Sequence, residues 1–469
     1  MERGVTDLFE PQNGSQDLTQ TNERIIVRSA APLEGTVRIH GAKNAVLPII
    51  AASILGQEQA SYIEDVPDLE DVRTLCGALT YLGAKVTFED EILTVDTSSI
   101  HKTEPPRKLV QQMRASFLLM GSLLARTGHV KMYLPGGCAI GSRPIDQHLK
   151  GFQALGANIN ETEEYVEAFV TEPMRGATIY LDVPSVGATE NIMMAATLAQ
   201  GMTVLENCAQ EPEIVDLANY LNSMGAKVKG AGTSIIRIEG VEKLHGAKHT
   251  VIPDRIETGT YMTIAAATRS TLYLQGAIGD HLRAVIAKLT EAGVHIEEDD
   301  DGILVRAERR LQPLQIKTLP YPGFPTDMQA QFSAFLTTVD GTSHISETVF
   351  ENRYMHCQQL LKMGANIAVD GRHATIIGGK RLHGAAVQMT DLRAGAAMII
   401  AGLVAEGITE ITELHHIDRG YVDIVGKLQR VGADIQRVTE PKIQSIFHET
   451  AQKVPRKSLA RPALNPTFA

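Results

Sequence analysis

Apolar and polar positions along the chain fall into a pattern that returns six times. Val72, Leu75, Cys76, Leu79 and Leu82 recur at helical spacing and are followed by Gly83. Ile214, Leu217, Ala218, Leu221 and Met224 do the same before Gly225, and Tyr421, Ile424, Val425, Leu428 and Val431 before Gly432. This spacing predicts an amphipathic helix stopped by a glycine just past its last turn. Beyond each glycine the alternation shortens to two residues, as in Val86, Phe88, then Ile92, Leu93 and Val95, which predicts a strand or hairpin. The phrase around the glycine reads LGAKV at Gly83, LGANI at Gly156, MGAKV at Gly225, AGVHI at Gly293, MGANI at Gly364 and VGADI at Gly432, at intervals of 73, 69, 68, 71 and 68 residues.

A more apolar segment precedes each amphipathic one: Ala45–Leu55, Ala115–Ala125, Ile192–Leu198, Tyr261–Ala267, Met328–Leu336 and Ala394–Val404. Helices apolar nearly all round are buried ones. Six mixed α/β units of about 70 residues predict compact closure rather than an open solenoid, and account for about 420 of the 469 residues, leaving a tail at each end. Two positions break the pattern. Eight residues before the glycine, units two and five carry His148 and His356, where the others carry Leu75, Leu217, Val285 and Ile424; these are expected to be hydrogen-bonded or surface histidines.

Charge changes the picture. Lysine plus arginine number 44 and aspartate plus glutamate 55, a net of −11, which excludes a globally basic surface for nucleic acid or anionic membrane. Any bound anion must be held by local cations. Cys76, Cys138, Cys208 and Cys357 are scattered without a CxxC, so neither a disulfide framework nor a zinc ribbon is indicated and reduced thiols are expected. The longest charge-free apolar stretch, Ala394–Ala405, is too short to span a bilayer, and the first 22 residues lack the apolar core of a secretory signal. A cytoplasmic protein is expected.

The densest candidate chemistry is residues 134–147, LPGGCAIGSRPIDQ. Gly136, Gly137 and Gly141 allow close ligand approach, and Arg143 lies five residues from the Cys138 thiol, which it would acidify if the loop folds back. The other three cysteines occupy repeat positions and are assigned to structure. No GxxxxGK[ST], GxGxxG or HExxH occurs, and His415-His416 are expected to point in different directions, so nucleotide triphosphatase, nicotinamide and metal chemistry are disfavoured. Polar residues stand just before the buried helices: Lys43-Asn44, Arg114, Thr326-Asp327 and Asp391-Leu392-Arg393. Asp418-Arg419 precedes the last amphipathic helix. Together they suit a polyanionic ligand.

On these residues the chain resembles the UDP-N-acetylglucosamine 1-carboxyvinyltransferases, the enolpyruvyl transferases of the first committed step of peptidoglycan synthesis. The resemblance is carried by GAKNAVLPI (41–49), MRAS (113–116), PGGCAIGSRPID (135–146), SVGATENIMMAA (185–196), PDRIETGTY (253–261), FPTDMQAQF (324–332), ETVFENRYMH (347–356), DLRAGA (391–396) and HIDRGY (416–421). It implies a two-domain inside-out α/β barrel of six βαβαββ repeats, three per domain. Residues 44–253 would form the domain with the cysteine loop, and 23–43 with 254–440 a discontinuous partner, the chain crossing near Lys43-Asn44 and Pro253-Asp254. The tails, 1–22 and 441–469, match no motif and are expected to be mobile, the first of them disordered, or to mediate a contact; regulatory protein partners are a separate expectation.

The resemblance further implies transfer of the enolpyruvyl group of phosphoenolpyruvate to the 3′-hydroxyl of UDP-N-acetylglucosamine, with no metal or organic cofactor. Cys138 would be general acid and site of a covalent adduct, and the target of the epoxide fosfomycin; Asp327 would be the base. Lys43, Asn44, Arg143, Arg419, Arg393 and Asp391 would serve phosphoenolpyruvate. Asn44, Arg114, Arg143, Pro144, Ile145, Asp146, Gln147, Ser185, Val186, Gly187, Asp327 and Val349 would serve the sugar nucleotide. Val183 departs from relatives that place a lysine there. Two other functions are weighed: a non-catalytic UDP-sugar-binding regulator, opposed by Cys138, Lys43, Asp327 and Arg419, and transfer to shikimate 3-phosphate, opposed by the PGGC loop.

Overall fold

The computed structural model describes residues 22–29, 31–134, 140–141, 144–308 and 310–440. All six repeat glycines adopt left-handed backbone, with φ of 114° at Gly83, 101° at Gly156 and Gly225, 99° at Gly293, 87° at Gly364 and 98° at Gly432. The cause is local. A helix ends with unpaired carbonyls, and a left-handed residue turns the next N–H groups back onto them: Gly83 N–H donates to the Thr80 carbonyl and Ala84 N–H to that of Leu79.

Each apolar segment forms a buried helix: Lys43–Ala52, Leu119–Thr127 after the 3₁₀ turn Arg114–Leu118, Val186–Ala196, Arg255–Thr268, Gln329–Leu336 after the turn Thr326–Met328, and Leu392–Val404. Every residue from Arg393 to Leu403 is buried, which is what its all-round apolar character requires. Five four-stranded sheets share one plan, two parallel strands followed by two antiparallel ones. In one of them Thr178–Tyr180 runs parallel to Met202–Glu206, which pairs antiparallel with Ile235–Glu239 and that with Lys227–Lys229.

The sheet of the second unit has three strands, His129–Tyr133, Tyr165–Phe169 and Asn158–Glu161. Its parallel partner is reduced to one hydrogen bond, from Lys131 N–H to the Thr103 carbonyl at 3.1 Å. In a parallel ladder the returning donor sits two residues on. That residue is Pro105, which has no N–H, and Pro106 follows it.

Two hydrophobic cores result. One gathers residues between Ala42 and Val251; the other joins Ile25 to Ile39 with Ile256 to Ile435. The N-terminal strand Asn22–Arg28 completes the second lobe by pairing antiparallel with Ile408–Thr412 and Ile435–Glu440, and Glu34–Arg38 runs parallel to Thr271–Gln275. The chain passes between lobes twice, and the two passages lie side by side. Gly41 bridges Pro253, Ala42 N–H donates to the Ile252 carbonyl at 2.7 Å, and Asp254 N–H to that of His40 at 2.9 Å. Gly41 must lack a side chain, because a Cβ there would sit 2.0 Å from the Asp65 carbonyl oxygen.

A buried polar chain braces the crossing. Lys427 Nζ donates to Glu257 Oε1 at 2.5 Å and to His40 Nδ1 at 2.7 Å, and His40 Nε2 lies 3.4 Å from Glu91 Oε1 in the other lobe. Burial, aided by the Lys427 charge, pushes the His40 imidazole down to about 4. One expectation is corrected: the rings of His415 and His416 do not diverge but lie 4.0 Å apart, because both belong to the single tight turn Leu414–His416.

Candidate active site

Lys43 opens the helix Lys43–Ala52 directly after the first crossing, and its N–H donates to Asp254 Oδ2 at 3.2 Å. The other oxygen of Asp254 caps the helix Arg255–Thr268, accepting from Ile256 and Glu257 N–H at 2.7 and 2.9 Å. One carboxylate thereby ties the starts of two helices in different lobes. The Lys43 ammonium lies 2.6 Å from Asp71 Oδ2, and Arg419 of the other lobe donates from Nε to Asp71 Oδ1 at 2.8 Å. Burial pulls the Lys43 ammonium below its ordinary range against the pull of Asp71. Burial opposes the Asp71 charge too, yet Lys43 and Arg419 hold its carboxyl below the usual carboxylate range. Asn44 stands exposed beside Lys43.

Asp327 projects from the turn Thr326–Met328 and is about a quarter exposed, whereas the two arginines that hold it are buried. Arg393 donates to its Oδ2 from Nε at 3.2 Å and Nη2 at 3.0 Å, and Arg353 to its Oδ1 at 3.0 Å. Asp391 spends one carboxylate oxygen capping the helix Leu392–Val404, accepting from Arg393 and Ala394 N–H at 2.9 and 3.1 Å. It therefore sets the start of the helix that carries Arg393. Glu347, fully buried, fastens the surroundings: it accepts from Thr318 and Thr326 hydroxyls at 2.8 and 2.9 Å and from Val349 and Phe350 N–H at 2.8 and 3.2 Å.

A second group of residues gathers in the first lobe. Ser185 caps the helix Val186–Ala196 through Ala188 N–H. Gly187 lies against His148, where an added Cβ would meet the ring at 3.2 Å. The His148 Nδ1 pairs with Asn191 Nδ2 at 2.9 Å, and burial, with Arg114 nearby, pushes its imidazole down to about 4. Gln147 is buried, donating to Asp146 and Asp182 at 2.9 Å each and accepting from Asp182 N–H at 2.8 Å, while Pro144 and Asp146 are exposed. Val183 and Val349 are exposed apolar side chains. The histidine in the matching position of unit five, His356, is fully buried, and among the described residues no partner reaches its Nδ1.

Cys138 and Arg143 lie outside the described residues. The described part of their loop reaches the opposite lobe: the Ile140 carbonyl accepts from Asn352 N–H at 3.1 Å. Cys76, Cys208 and Cys357 are all buried; burial pushes Cys76 and Cys357 up to about 12 and Cys208 to about 11. Among the described residues no group of three or more His, Cys, Asp or Glu is placed to hold a metal ion.

The model of the EPSP synthase (3-phosphoshikimate 1-carboxyvinyltransferase) family matches residues 27–428. A UDP-N-acetylglucosamine 1-carboxyvinyltransferase 1 of Halalkalibacterium halodurans is 58% identical over 418 residues, covering 89% of this chain and 95% of its own. Counterparts from Finegoldia magna and Staphylococcus aureus are 57% and 53% identical, covering 89% of this chain and 99% and 100% of theirs. The chain belongs to the UDP-N-acetylglucosamine 1-carboxyvinyltransferase family. Among solved structures, the enolpyruvyl transferase NikO from Streptomyces tendae matches with a TM-score of 0.82 at 26% identity over 90% of this chain and all of that one. An EPSP synthase from Acinetobacter baumannii shares the fold at 17% identity, TM-score 0.70, over 89% of this chain and all of that one.

In a carboxyvinyltransferase the cleft must hold two anionic substrates, and the structure supplies residues that sequence reasoning passed over. Asp71 joins Lys43 to Arg419, and Glu347 and Arg353 hold the surroundings of Asp327. Arg255, first residue of its helix, pairs with Glu213 across the lobes at 2.9 Å. Beside that pair, burial and the nearby Glu213 and Glu211 charges push the Glu190 carboxyl well above its ordinary range. Only Arg255 left a usable signal: it stands at the start of a buried helix, as Lys43 and Arg114 do.

Proposed function

We propose that the cleft transfers the enolpyruvyl group of phosphoenolpyruvate to the 3′-hydroxyl of UDP-N-acetylglucosamine and releases phosphate, the entry reaction of peptidoglycan synthesis. The observation that carries this is the pairing of Lys43 and Arg419 from opposite lobes around one buried carboxylate, together with an arginine-held Asp327. It occurs on a chain 53–58% identical to transferases of that name. In the first step the acceptor oxygen bonds to C2 of phosphoenolpyruvate while the methylene carbon takes a proton; in the second that carbon loses a proton and the C2–O bond to phosphate breaks. Lys43, Arg143 and Arg419 offset the phosphate and carboxylate charge, with Asn44 beside them and with Arg393 oriented through Asp391.

Cys138 is the proposed acid for the methylene carbon and the site of a covalent adduct. Asp327 is the proposed acceptor of the hydroxyl proton. Arg353 and Arg393 hold its two oxygens in place, and the hydroxyl must share those contacts for the proton to transfer. Arg114, Pro144 to Gln147, Ser185 to Gly187 and Val349 are assigned to the sugar nucleotide. The recurring sheet plan supports reading the fold as two inside-out barrels of three βαβαββ units. On that reading residues 44–253 form one domain and 23–43 with 254–440 the other, the boundary residue Lys43 opening the first helix of the 44–253 lobe. Among the described residues no helix is long and apolar enough to cross a membrane, and buried free thiols suit a cytoplasmic enzyme.

The test is phosphate release by the purified protein. Release from phosphoenolpyruvate that requires UDP-N-acetylglucosamine, and is not supported by shikimate 3-phosphate, is the expected result. No release with both substrates saturating would overturn the assignment.

A further inference from the structure

Asp71 opens the helix Glu70–Leu82 at its second position and is 4% exposed. An acid in a first helical turn ordinarily serves its own helix. This one faces away from that duty. Its Oδ2 lies 2.6 Å from Lys43 Nζ, and Arg419 spans both its oxygens, from Nε at 2.8 Å and Nη2 at 3.4 Å. Lys43 belongs to the lobe of Asp71 and Arg419 to the other. The adjoining backbone repeats the tie, Glu70 N–H donating to the Asp418 carbonyl at 3.4 Å.

We propose that Asp71 is the resident counter-anion of the donor site, a positioning residue that aims Lys43 and Arg419 at the phosphate group of the incoming enolpyruvyl donor. Through Arg419 it also makes that aim depend on the two lobes being drawn together. The proposal rests on the donor site assigned above. With Asp71 present the trio carries a net charge of +1; without it, +2 and no carboxylate joining the two cations. Its removal therefore has opposed effects. A small anion that needs only charge binds more tightly, while the reaction, which needs the cations aimed, slows. An aspartate that served the fold alone would lower both or neither.

The probe is inorganic phosphate, titrated by calorimetry into the full chain at low ionic strength, alongside steady-state kinetics. Asp71→Asn should tighten phosphate binding by about tenfold to a hundredfold, the range expected when a unit charge about 6 Å from a singly charged anion is removed at an effective dielectric of about 20 to 40. It should lower kcat by about tenfold or more and leave the KM for UDP-N-acetylglucosamine within about twofold. Asp71→Glu keeps the charge on a longer arm and should retain the parent's phosphate affinity while losing turnover. Unchanged or weaker phosphate binding in Asp71→Asn at an unaltered melting temperature would overturn the proposal, and so would parental turnover in Asp71→Glu. If the parent itself fails to release phosphate from phosphoenolpyruvate, the functional assignment fails, and the phosphate titration still decides the role of Asp71.

Discussion

Glu347 offers the sharpest test of how the acceptor side is held. Its carboxylate is 1% exposed and accepts four hydrogen bonds, two from hydroxyls of Thr318 and Thr326 and two from the N–H groups of Val349 and Phe350. Glu347→Ala leaves four donors facing a void. Bonds to a charged acceptor contribute about 1.5–3 kcal/mol each, and unpaired buried donors cost about 1–3 kcal/mol. Relaxation and water entry recover part of this, and contacts sharing one partner are not additive, so a net loss of about 3–5 kcal/mol is expected, at the upper end for single substitutions. For a lobe of some 200 residues that is a fall in Tm of about 10 °C. Glu347→Gln keeps the oxygen that serves Thr318, Val349 and Phe350 and lets its amide donate to the Thr326 hydroxyl, so about 1 kcal/mol should be lost. The assay is thermal unfolding of both variants, with the KM for UDP-N-acetylglucosamine measured below the transition. Since Thr326 adjoins Asp327, that KM should rise in Glu347→Ala while the KM for phosphoenolpyruvate moves less. A Glu347→Ala protein within about 1 kcal/mol of the parent would refute the assignment of Glu347 as the fastening of this region.

Three further outcomes are expected. Mass spectrometry after exposure to fosfomycin should find modification at Cys138 and none at Cys76, Cys208 or Cys357, whose thiols are buried and titrate near 11 to 12; equal labelling of all four would remove Cys138 from the site. Asp327→Asn should cut kcat by about 10²–10³ if the carboxylate accepts the proton and should lower Tm by leaving the buried Arg353 and Arg393 without their anion; parental turnover would eliminate the base. His356, pushed down to about 4 by burial, binds its proton more readily unfolded, so stability rises with pH between about 4 and 6.5 and is lost as pH falls through that window. A gap of about 2.5 pH units corresponds to about 3 kcal/mol. Urea unfolding of His356→Gln should show a correspondingly flatter pH dependence, and an unaltered slope would show that folding leaves the proton affinity of His356 unchanged.

What was legible in the sequence was local. A left-handed glycine closing a helix depends only on its neighbours, so Gly83, Gly156, Gly225, Gly293, Gly364 and Gly432 announced themselves. All-round apolar helices declared their burial in the same way. Asp71 could not. Glu70-Asp71 reads as two acids favouring a helix start, and the partner that gives Asp71 another purpose, Arg419, is 348 residues away. Glu347 is likewise defined by Thr318 and Thr326, 29 and 21 residues distant. The truncated sheet of the second unit was readable in principle from Pro105-Pro106, since a proline cannot return the ladder bond to Lys131, but only once the register was known. The paired rings of His415 and His416 escaped for a different reason: neighbours on the chain are expected to diverge, and the tight turn Leu414–His416 brings these two together.

The repeat also explains where the chemistry sits. Polar side chains stand at the start of every buried helix, namely Lys43, Arg114, Ser185, Arg255, Thr326-Asp327 and Asp391 with Arg393. Helix starts expose unpaired N–H groups and the positive end of the helix dipole, so a fold that gathers them makes an anion-attracting region before any side chain is chosen. Asp254 fastens two of these starts together, Asp71 binds the Lys43 ammonium of one of them, and Asp327 binds Arg393 of another. The acids are what let so many positive groups coexist at burial: an unpaired buried cation is costly, and a paired one waits in place. An acidic protein thus keeps Lys43, Arg255, Arg353, Arg393 and Arg419 each on a carboxylate. The negative total of −11 and a cation-lined cleft are therefore two sides of one arrangement.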